Sequence, residues 1–398
     1  MSRTLFIATA EPSGDLQGGA LARALKMRHP DWRILGTGSS AMRDAGVDLL
    51  FDSATWGTIG HSEVLARLPR LLWAYRSVCN TLLRLRPDLL VVIDAPGLHF
   101  RLAGFAQRHG IRCVYYFPPS QWATNPRRLH QIHGRVTAVV TAFRFNADQY
   151  LRNGLEVGYF GHPLVDIVGP PPRAEDAQRA LGLPPGRYVA LLPGSRTQEV
   201  KLLLPSLLEV AARLRSLYPD LGFLIPIANP ALESRVRAHL PRPPAYVHLL
   251  HGRSREAMAC SRVVVMASGS ASLEAALLGV PHVVFYRANR VDWLIYRLFS
   301  ALGWVRVDRF GLCNLVLQED VMPEFLQHTA TPDRLTAEAA KLIEDGPDRF
   351  RMLDDLARVR QAVGSPGVVE RVARFVEQLA EGVERSRALS EVSAAWTS

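Results

Sequence analysis

Lysine is almost missing from this chain: Lys26, Lys201 and Lys341 are the only three among 47 basic residues, and the other 44 are arginines. A genome rich in G and C suffices to produce that bias. No run of five or six consecutive basic residues occurs, which argues against a nucleic-acid-binding tail. Cysteine is scarce as well. Cys79, Cys113, Cys260 and Cys313 lie far apart without a CxxC pair, so neither a zinc site nor a disulfide framework is suggested, and a reducing compartment is the natural reading. No window approaches 18 uninterrupted apolar residues, so no transmembrane helix is expected, and the apolar stretch Leu5 to Ala10 is too short for a secretory core. The expectation is a cytoplasmic protein that meets a membrane only from the side.

Nucleotide motifs are missing in an informative way. The first strand is not followed by GxGxxG, and GxxxxGK[ST] occurs nowhere, so the common dinucleotide and P-loop sites lack their glycines. There is no DxD and no His or Cys set with metal spacing; no metal and no cofactor are expected. What the chain does have is bulk: 398 residues, 48% hydrophobic and 21% charged, enough for two or three domains, with a net charge of +10 that draws anionic lipid, nucleic acid or phosphorylated substrates alike.

Short β-branched runs alternate with longer stretches of helical period, the pattern of parallel βα units. Thr4 to Ala10, Arg33 to Thr37, Leu89 to Ile93, Arg112 to Tyr116, Ala138 to Ala142 and Val157 to Tyr159 read as strands, with helices at 17–28, 61–85, 98–109 and 146–153. Gly169-Pro170-Pro171-Pro172 then interrupts, since consecutive prolines neither extend a helix nor donate to a sheet. The pattern restarts with strands at 188–192, 222–226, 247–249, 263–266 and 282–286 and turns purely helical from Thr331. The fold class is therefore α/β: two doubly wound domains, 1–168 and 169–345, facing a cleft, followed by C-terminal helices over 346–398 whose tail after Arg385 has no core pattern and should fray.

Ligands of doubly wound sheets sit beyond the carboxyl ends of the strands, so the chemistry is sought there. The first strand runs into Glu11-Pro-Ser13-Gly14-Asp15, where two carboxylates flank a tight turn. Ser13 can bond a sugar or phosphate, while Ser13 or Asp15 can equally cap the next helix; Glu11, outside the first turn, is the better site residue. Leu89 to Ile93 delivers Asp94-Ala-Pro96, a carboxylate placed either to take a proton from an attacking hydroxyl or to cap the helix that follows. Trp122 can stack on a sugar or simply pack. In the second half, Pro193-Gly194-Ser195-Arg196 and Ser268-Gly269-Ser270 each link a strand to a helix, which makes two anion-ready turns; Arg196 can meet phosphate or pair with Glu199. Glu274, one helical turn past Ser270, suits a ribose diol or is simply solvated. Two such turns in one domain make a nucleoside diphosphate the economical ligand. Apolar stripes with interspersed arginine, Val64 to Leu82 and Trp293 to Phe299 with Trp304, read as core faces whose exposed edges suit a lipid interface.

These residues resemble a family, the lipid A disaccharide synthases, two-domain glycosyltransferases of the GT-B type. The likeness runs in order through Glu11-x-Ser-Gly-Asp15, Gly60-x-x-Glu63, Ile93-Asp-Ala-Pro96, Pro119-Ser120-x-Trp122, Gly161-His-Pro163, Leu192-Pro-Gly-Ser-Arg196, Ser268-Gly-x-Ala-x-Leu-Glu274, Tyr286-Arg287, Asn314 and Pro323-Glu-x-Leu-Gln327. The resemblance implies inverting transfer of a diacylglucosamine unit from its UDP donor to the 6-hydroxyl of an acylated sugar phosphate, at the inner face of a membrane. It implies that Asp94 is the general base and Glu11 its polar partner in the acceptor half, with Ser13, Gly14, Asp15, Glu63, Ser120 and Trp122 nearby. Gly194, Ser195, Arg196, Ser268, Gly269, Ser270, Glu274, Arg287, Asn314 and Gln327 would form the UDP half. It also implies an anionic membrane surface as partner, no nucleic acid, last helices that return to the first domain, and a homodimer. Six residues depart from the family pattern: Gly97, His99, Pro118, Thr124, Asn146 and Cys313 stand where Asp, Asn, Ser, Trp, Glu and Pro are usual. Five of them fall in the first domain, which keeps open a related GT-B enzyme with another lipid acceptor, or a UDP-sugar epimerase.

Overall fold

A computed structural model of the chain describes residues 2–53, 64–118, 126–301 and 309–397. The chain forms two compact units, one from residues 2–53, 65–167 and 363–397, the other from 168–362.

The first unit opens with β1 (Thr4–Ala8), α1 (Pro12–Arg28), β2 (Arg33–Gly38), α2 (Ser40–Asp44), β3 (Asp48–Asp52), α3 (Val64–Leu85), β4 (Leu89–Ile93) and α4 (Pro96–Arg108). It continues with β5 (Cys113–Tyr116), α5 (Pro126–His133), β6 (Ala138–Thr141), α6 (Arg144–Arg152), β7 (Gly158–Tyr159) and α7 (Leu164–Val168). The second unit holds α8 (Ala174–Ala180), β8 (Tyr188–Leu192), α9 (Thr197–Leu217), β9 (Gly222–Ile227), α10 (Glu233–His239), β10 (Val247–His251) and α11 (Ser254–Ala259). It goes on through β11 (Ser261–Ala267), α12 (Ser270–Leu277), β12 (His282–Tyr286), α13 (Arg290–Ala301), α14 (Leu312–Leu317), β13 (Glu324–Leu326), α15 (Pro332–Ile343) and α16 (Pro347–Ala362). The last two helices, α17 (Val368–Ala380) and α18 (Arg385–Thr397), belong to the first unit again.

Both sheets are parallel. Their strand orders are β3-β2-β1-β4-β5-β6-β7 and β10-β9-β8-β11-β12-β13. In each, the order reverses once, between β1 and β4 and between β8 and β11, and such switch points are where the strand ends open a crevice. Strands covered on both faces need no polar side, which is why they read as continuous apolar runs. In the first sheet Leu5, Ile7, Leu89, Val91 and Ile93 pack under α1 together with Val372, Phe375, Val376 and Leu379 of α17. Phe6, Ala8, Leu90 and Val92 point the other way, against Val78 and Leu82 of α3, Ala103 and Ala106 of α4 and Tyr150 of α6. Without α17 the first of these faces would lie open to water.

Three expectations change. The C-terminal segment divides at Val363 rather than 346, because α16 packs on α12, α14 and α15 within the second unit. The tail does not fray: α18 buries Ala388, Leu389 and Val392 in the first core, three apolar contacts too sparse to stand out among Ser, Arg and Glu. Finally, α1 begins at Pro12, with proline at a position whose N–H has no intrahelical partner anyway, so Ser13, Gly14 and Asp15 lie within its first turn and not in a loop.

Candidate active site

At the switch point of the first sheet, α1 lies close over the ends of β1 and β4. A Cβ on Gly14 would sit 3.5 Å from Thr9 Cβ and 3.7 Å from the Ile93 carbonyl oxygen, and one on Gly18 would meet Met42 Sδ at 2.9 Å. Small residues at this spacing let the helix settle onto the strand ends. Glu11 occupies the N-cap in extended conformation, and its side chain makes no capping bond to the helix. Asp15 takes a different role from either expected one. It is buried, and its carboxylate accepts the backbone N–H groups of Ser39 at 2.5 Å and Ala41 at 2.9 Å, so it caps α2 from another element.

The β4 end is more unusual. Asp94 (φ +54°) and Ala95 (φ +47°) are consecutive left-handed residues without being glycine, before Pro96 starts α4. Each costs about 1–2 kcal/mol in that region, and paired strain of this kind persists only where neighbours hold it. The holders are visible. The Asp94 carbonyl accepts the Tyr115 hydroxyl at 3.0 Å and the His99 Nδ1–H at 3.0 Å; the same ring nitrogen lies 3.0 Å from the Ile93 carbonyl. With only carbonyls before it, Nδ1 must carry the proton, and burial holds His99 down to about 4, so the ring is neutral. The turn leaves Asp94 partly exposed at the carboxyl end of the sheet, where ligands of doubly wound sheets bind. Phe117 at the end of β5 is also left-handed (φ +61°). Glu63, Ser120, Trp122 and Thr124 lie outside the described residues.

In the second sheet the two anion-ready turns follow neighbouring strands, β8 and β11. They differ in state. In the turn after β8, the Glu199 carboxylate accepts the N–H groups of Ser195 at 2.9 Å and Arg196 at 3.1 Å and the Arg196 guanidinium at 3.2 Å. Gly194 (φ +102°) is required there, since a Cβ would fall 2.2 Å from Glu199 Oε2. The expectation of free N–H groups in this turn is thus corrected: an internal carboxylate already fills the anion position. A Glu at the third helical position is a capping-box signal, the mark by which Glu199 is legible in sequence. After β11 the N-cap of α12 is an extended Gly269, which has no side chain to cap the helix that starts at Ser270, and Ser268 N–H is bonded to the Phe285 carbonyl at 3.1 Å. An uncapped helix N-terminus carries partial positive charge and N–H donors.

The remaining candidates are placed as follows. Glu274, on α12, is held by Arg255 at 2.7 Å. Arg287, at the end of β12, donates to Ser206 Oγ at 2.9 Å and the Ala330 carbonyl at 2.5 Å, and Gln327, left-handed at φ +54°, donates to the Ala288 carbonyl at 3.3 Å. Asn314 is fully buried; its carbonyl accepts Val321 and Met322 N–H at 2.9 Å each and its amide donates to the Met322 carbonyl at 3.0 Å. These bonds fold the 314–322 turn. Among the described residues, one group of His and carboxylates has metal-like proximity, His29, Glu377 and Glu381, and there Glu377 already accepts Arg28 at 2.6 Å.

Two parallel, doubly wound sheets, each with one switch point, make up a fold of the GT-B type. Solved structures share the fold: UDP-GlcNAc 2-epimerase of Methanocaldococcus jannaschii in complex with UDP-GlcNAc and UDP (TM-score 0.63, 14% identity, 95% of this chain and 99% of that one) and the glycotransferase of kitacinnamycin (TM-score 0.58, 17% identity, 95% and 99%). At these identities they speak for fold alone. A model of the lipid-A-disaccharide synthetase family matches residues 5–373. Lipid-A-disaccharide synthases of Geobacter sulfurreducens (35% identical, 95% of this chain, 97% of the relative) and Erwinia tasmaniensis (36%, 90% and 94%) are similar along nearly their whole length. The chain belongs to the lipid-A-disaccharide synthetase family, and its activity is that of a hexosyl-transferring enzyme of lipid A synthesis.

Proposed function

We propose that the enzyme moves a 2,3-diacylglucosamine unit from UDP to the 6-hydroxyl of 2,3-diacylglucosamine 1-phosphate, with inversion, and that Asp94 is the base. The observation that carries this reading is the held, left-handed turn that presents Asp94 at the carboxyl end of β4. As the hydroxyl oxygen forms its bond to the anomeric carbon, its proton passes to the Asp94 carboxylate and the anomeric C–O bond breaks, leaving with UDP. The leaving diphosphate gains charge, and the uncapped N-terminus of α12 together with Arg196 is suited to stabilise it. Glu11, at the neighbouring strand end, is the proposed polar partner on the acceptor side. A mixture of UDP-activated donor and acylated sugar phosphate should release UDP only when both are present, read by coupled detection of UDP; sugar interconversion without acceptor would instead support an epimerase.

The acylated substrates call for a lipid surface, and α13 supports one. It exposes Val291, Leu294 (67%) and Leu298 (59%) beside Arg290 and Arg297, an apolar edge bordered by cations that suits the inner, anionic face of a membrane. On α3, Leu72 and Trp73 are exposed while Val78 and Leu82 are core. No described helix is long and apolar enough to cross a membrane. Leu294→Ser with Leu298→Ser should lower co-sedimentation with phosphatidylglycerol vesicles about tenfold while leaving UDP affinity unchanged, since each Leu buries about 2 kcal/mol of transfer energy at most. Equal sedimentation would remove α13 from the membrane contact.

A further inference from the structure

We infer that His99 is a positioning residue for the reaction: together with Tyr115 it fixes the peptide plane that aims the Asp94 carboxylate. The inference rests on the reading of Asp94 as base. Three observations carry it. The Asp94 carbonyl has two lone pairs, and both are engaged, by His99 Nδ1–H and by Tyr115 Oη–H, each at 3.0 Å. That carbonyl belongs to the peptide joining two consecutive left-handed residues, so fixing its plane fixes ψ of Asp94 and φ of Ala95 together. And His99 keeps this role at a visible cost: its Nε2 is buried with no hydrogen-bond partner among the described residues, an arrangement that packing alone would not favour over an apolar side chain. An Asn Nδ2 lies the same number of bonds from Cα as the imidazole Nδ1, so an Asn in this place can make the same donation to the Ile93 and Asp94 carbonyls.

The test uses the full-length enzyme with UDP-activated diacylglucosamine as donor and diacylglucosamine 1-phosphate as acceptor, and measures kcat, KM for both substrates and UDP affinity for His99→Leu, His99→Asn, Tyr115→Phe and Asp94→Asn. Misplacing a reacting group by about 1 Å can cost about a hundredfold in rate. His99→Leu should thus lose roughly ten- to a hundredfold in kcat with KM and UDP affinity within about twofold of the wild type, and His99→Asn should recover most of the loss. Should His99→Leu fail to fold, Tyr115→Phe reads the same coupling by removing a single oxygen, and a several-fold fall in kcat at constant KM is expected. Wild-type kcat in His99→Leu or, where that variant does not fold, in Tyr115→Phe overturns the inference, as does a loss equally deep in His99→Asn. If Asp94→Asn retains turnover, the base reading fails with it; if Asp94→Asn is inactive while His99→Leu turns over normally, the positioning role alone is wrong.

Discussion

Replacing Asp94 by Asn should reduce kcat by about 10²- to 10⁴-fold, the range in which a positioned base contributes, with UDP affinity unchanged. Asn is a clean probe at this position. It keeps the shape of the side chain, and it is among the few residues that tolerate φ near +54°, so the turn should persist and the fold should not confuse the result. What the amide cannot do is accept a full proton from the attacking hydroxyl. The loss should therefore fall on kcat with little change in KM, and activity should not return at higher pH, because the missing group is not one that deprotonates. Steady-state kinetics of UDP release across pH 6–9 checks both points. A variant that turns over at the wild-type rate would take the proton-accepting role away from Asp94.

Stability should collapse on mild acidification, between pH 6.5 and pH 5, before ordinary carboxylates titrate. Three histidines are buried and held neutral by their surroundings: burial holds His99 at about 4, His162 at about 3 and His282 at about 4. In the unfolded chain each has its usual value near 6.5. Below that pH the unfolded state binds protons that the folded state does not, so stability present above pH 6.5 is lost as the pH falls toward the folded values. Integrated to pH 5, each histidine removes about 2 kcal/mol. His99 and His162 lie in the same unit, so that unit should lose about 4 kcal/mol, a large part of the 5–15 kcal/mol typical of a domain. The corresponding fall in its melting temperature is about 10 °C. Thermal scans by circular dichroism at pH 7.5, 6.5, 5.5 and 5.0 measure it, and His99→Asn should flatten the pH dependence by about one third to one half. A melting temperature constant down to pH 5 would mean that these rings take up protons while folded.

The architecture was readable in the sequence because inner strands are local signals. Leu89–Ile93 is apolar through its whole length, Tyr188–Leu192 and His282–Tyr286 are apolar but for their first residues and the Tyr286 hydroxyl, and only helices on both faces allow that. Two of the four edge strands, β3 and β13, carry no such mark. Residues 48–52 alternate exposed and half-buried positions between two aspartates, and β13 is three residues long, so neither stood out. The same contrast governs the site. Asp94 stands out as a candidate because a carboxylate two residues before a proline at the end of an inner strand invites either a base or a helix cap. The capping of α2 by Asp15 carries no local mark, since the N–H groups that it caps lie 24 and 26 residues further along and only tertiary structure brings them near. The bonds of Asn314 are hidden for a related reason: they close a turn within eight residues, which a lone polar residue in a short helix does not announce. The Arg196–Glu199 pair was visible as one of two alternatives; the pair is formed in this structure at 3.2 Å, and the half-exposed guanidinium keeps donors for a phosphate as well.

The pairing also narrows the proposal for what holds the diphosphate. With Ser195 and Arg196 N–H groups bonded to Glu199, the proposed anion donors are the start of α12 and the half-exposed Arg196 guanidinium. Calorimetric titration of the full-length enzyme with UDP, with and without EDTA, in the wild type and in Arg196→Ala, tests this most directly. The expected result is binding that ignores EDTA and weakens about tenfold in the variant, as the loss of one charge-assisted hydrogen bond of about 1.5 kcal/mol requires. Binding that vanishes with EDTA, or an Arg196→Ala protein that binds UDP as tightly as the wild type, would contradict a diphosphate held by the helix and the arginine.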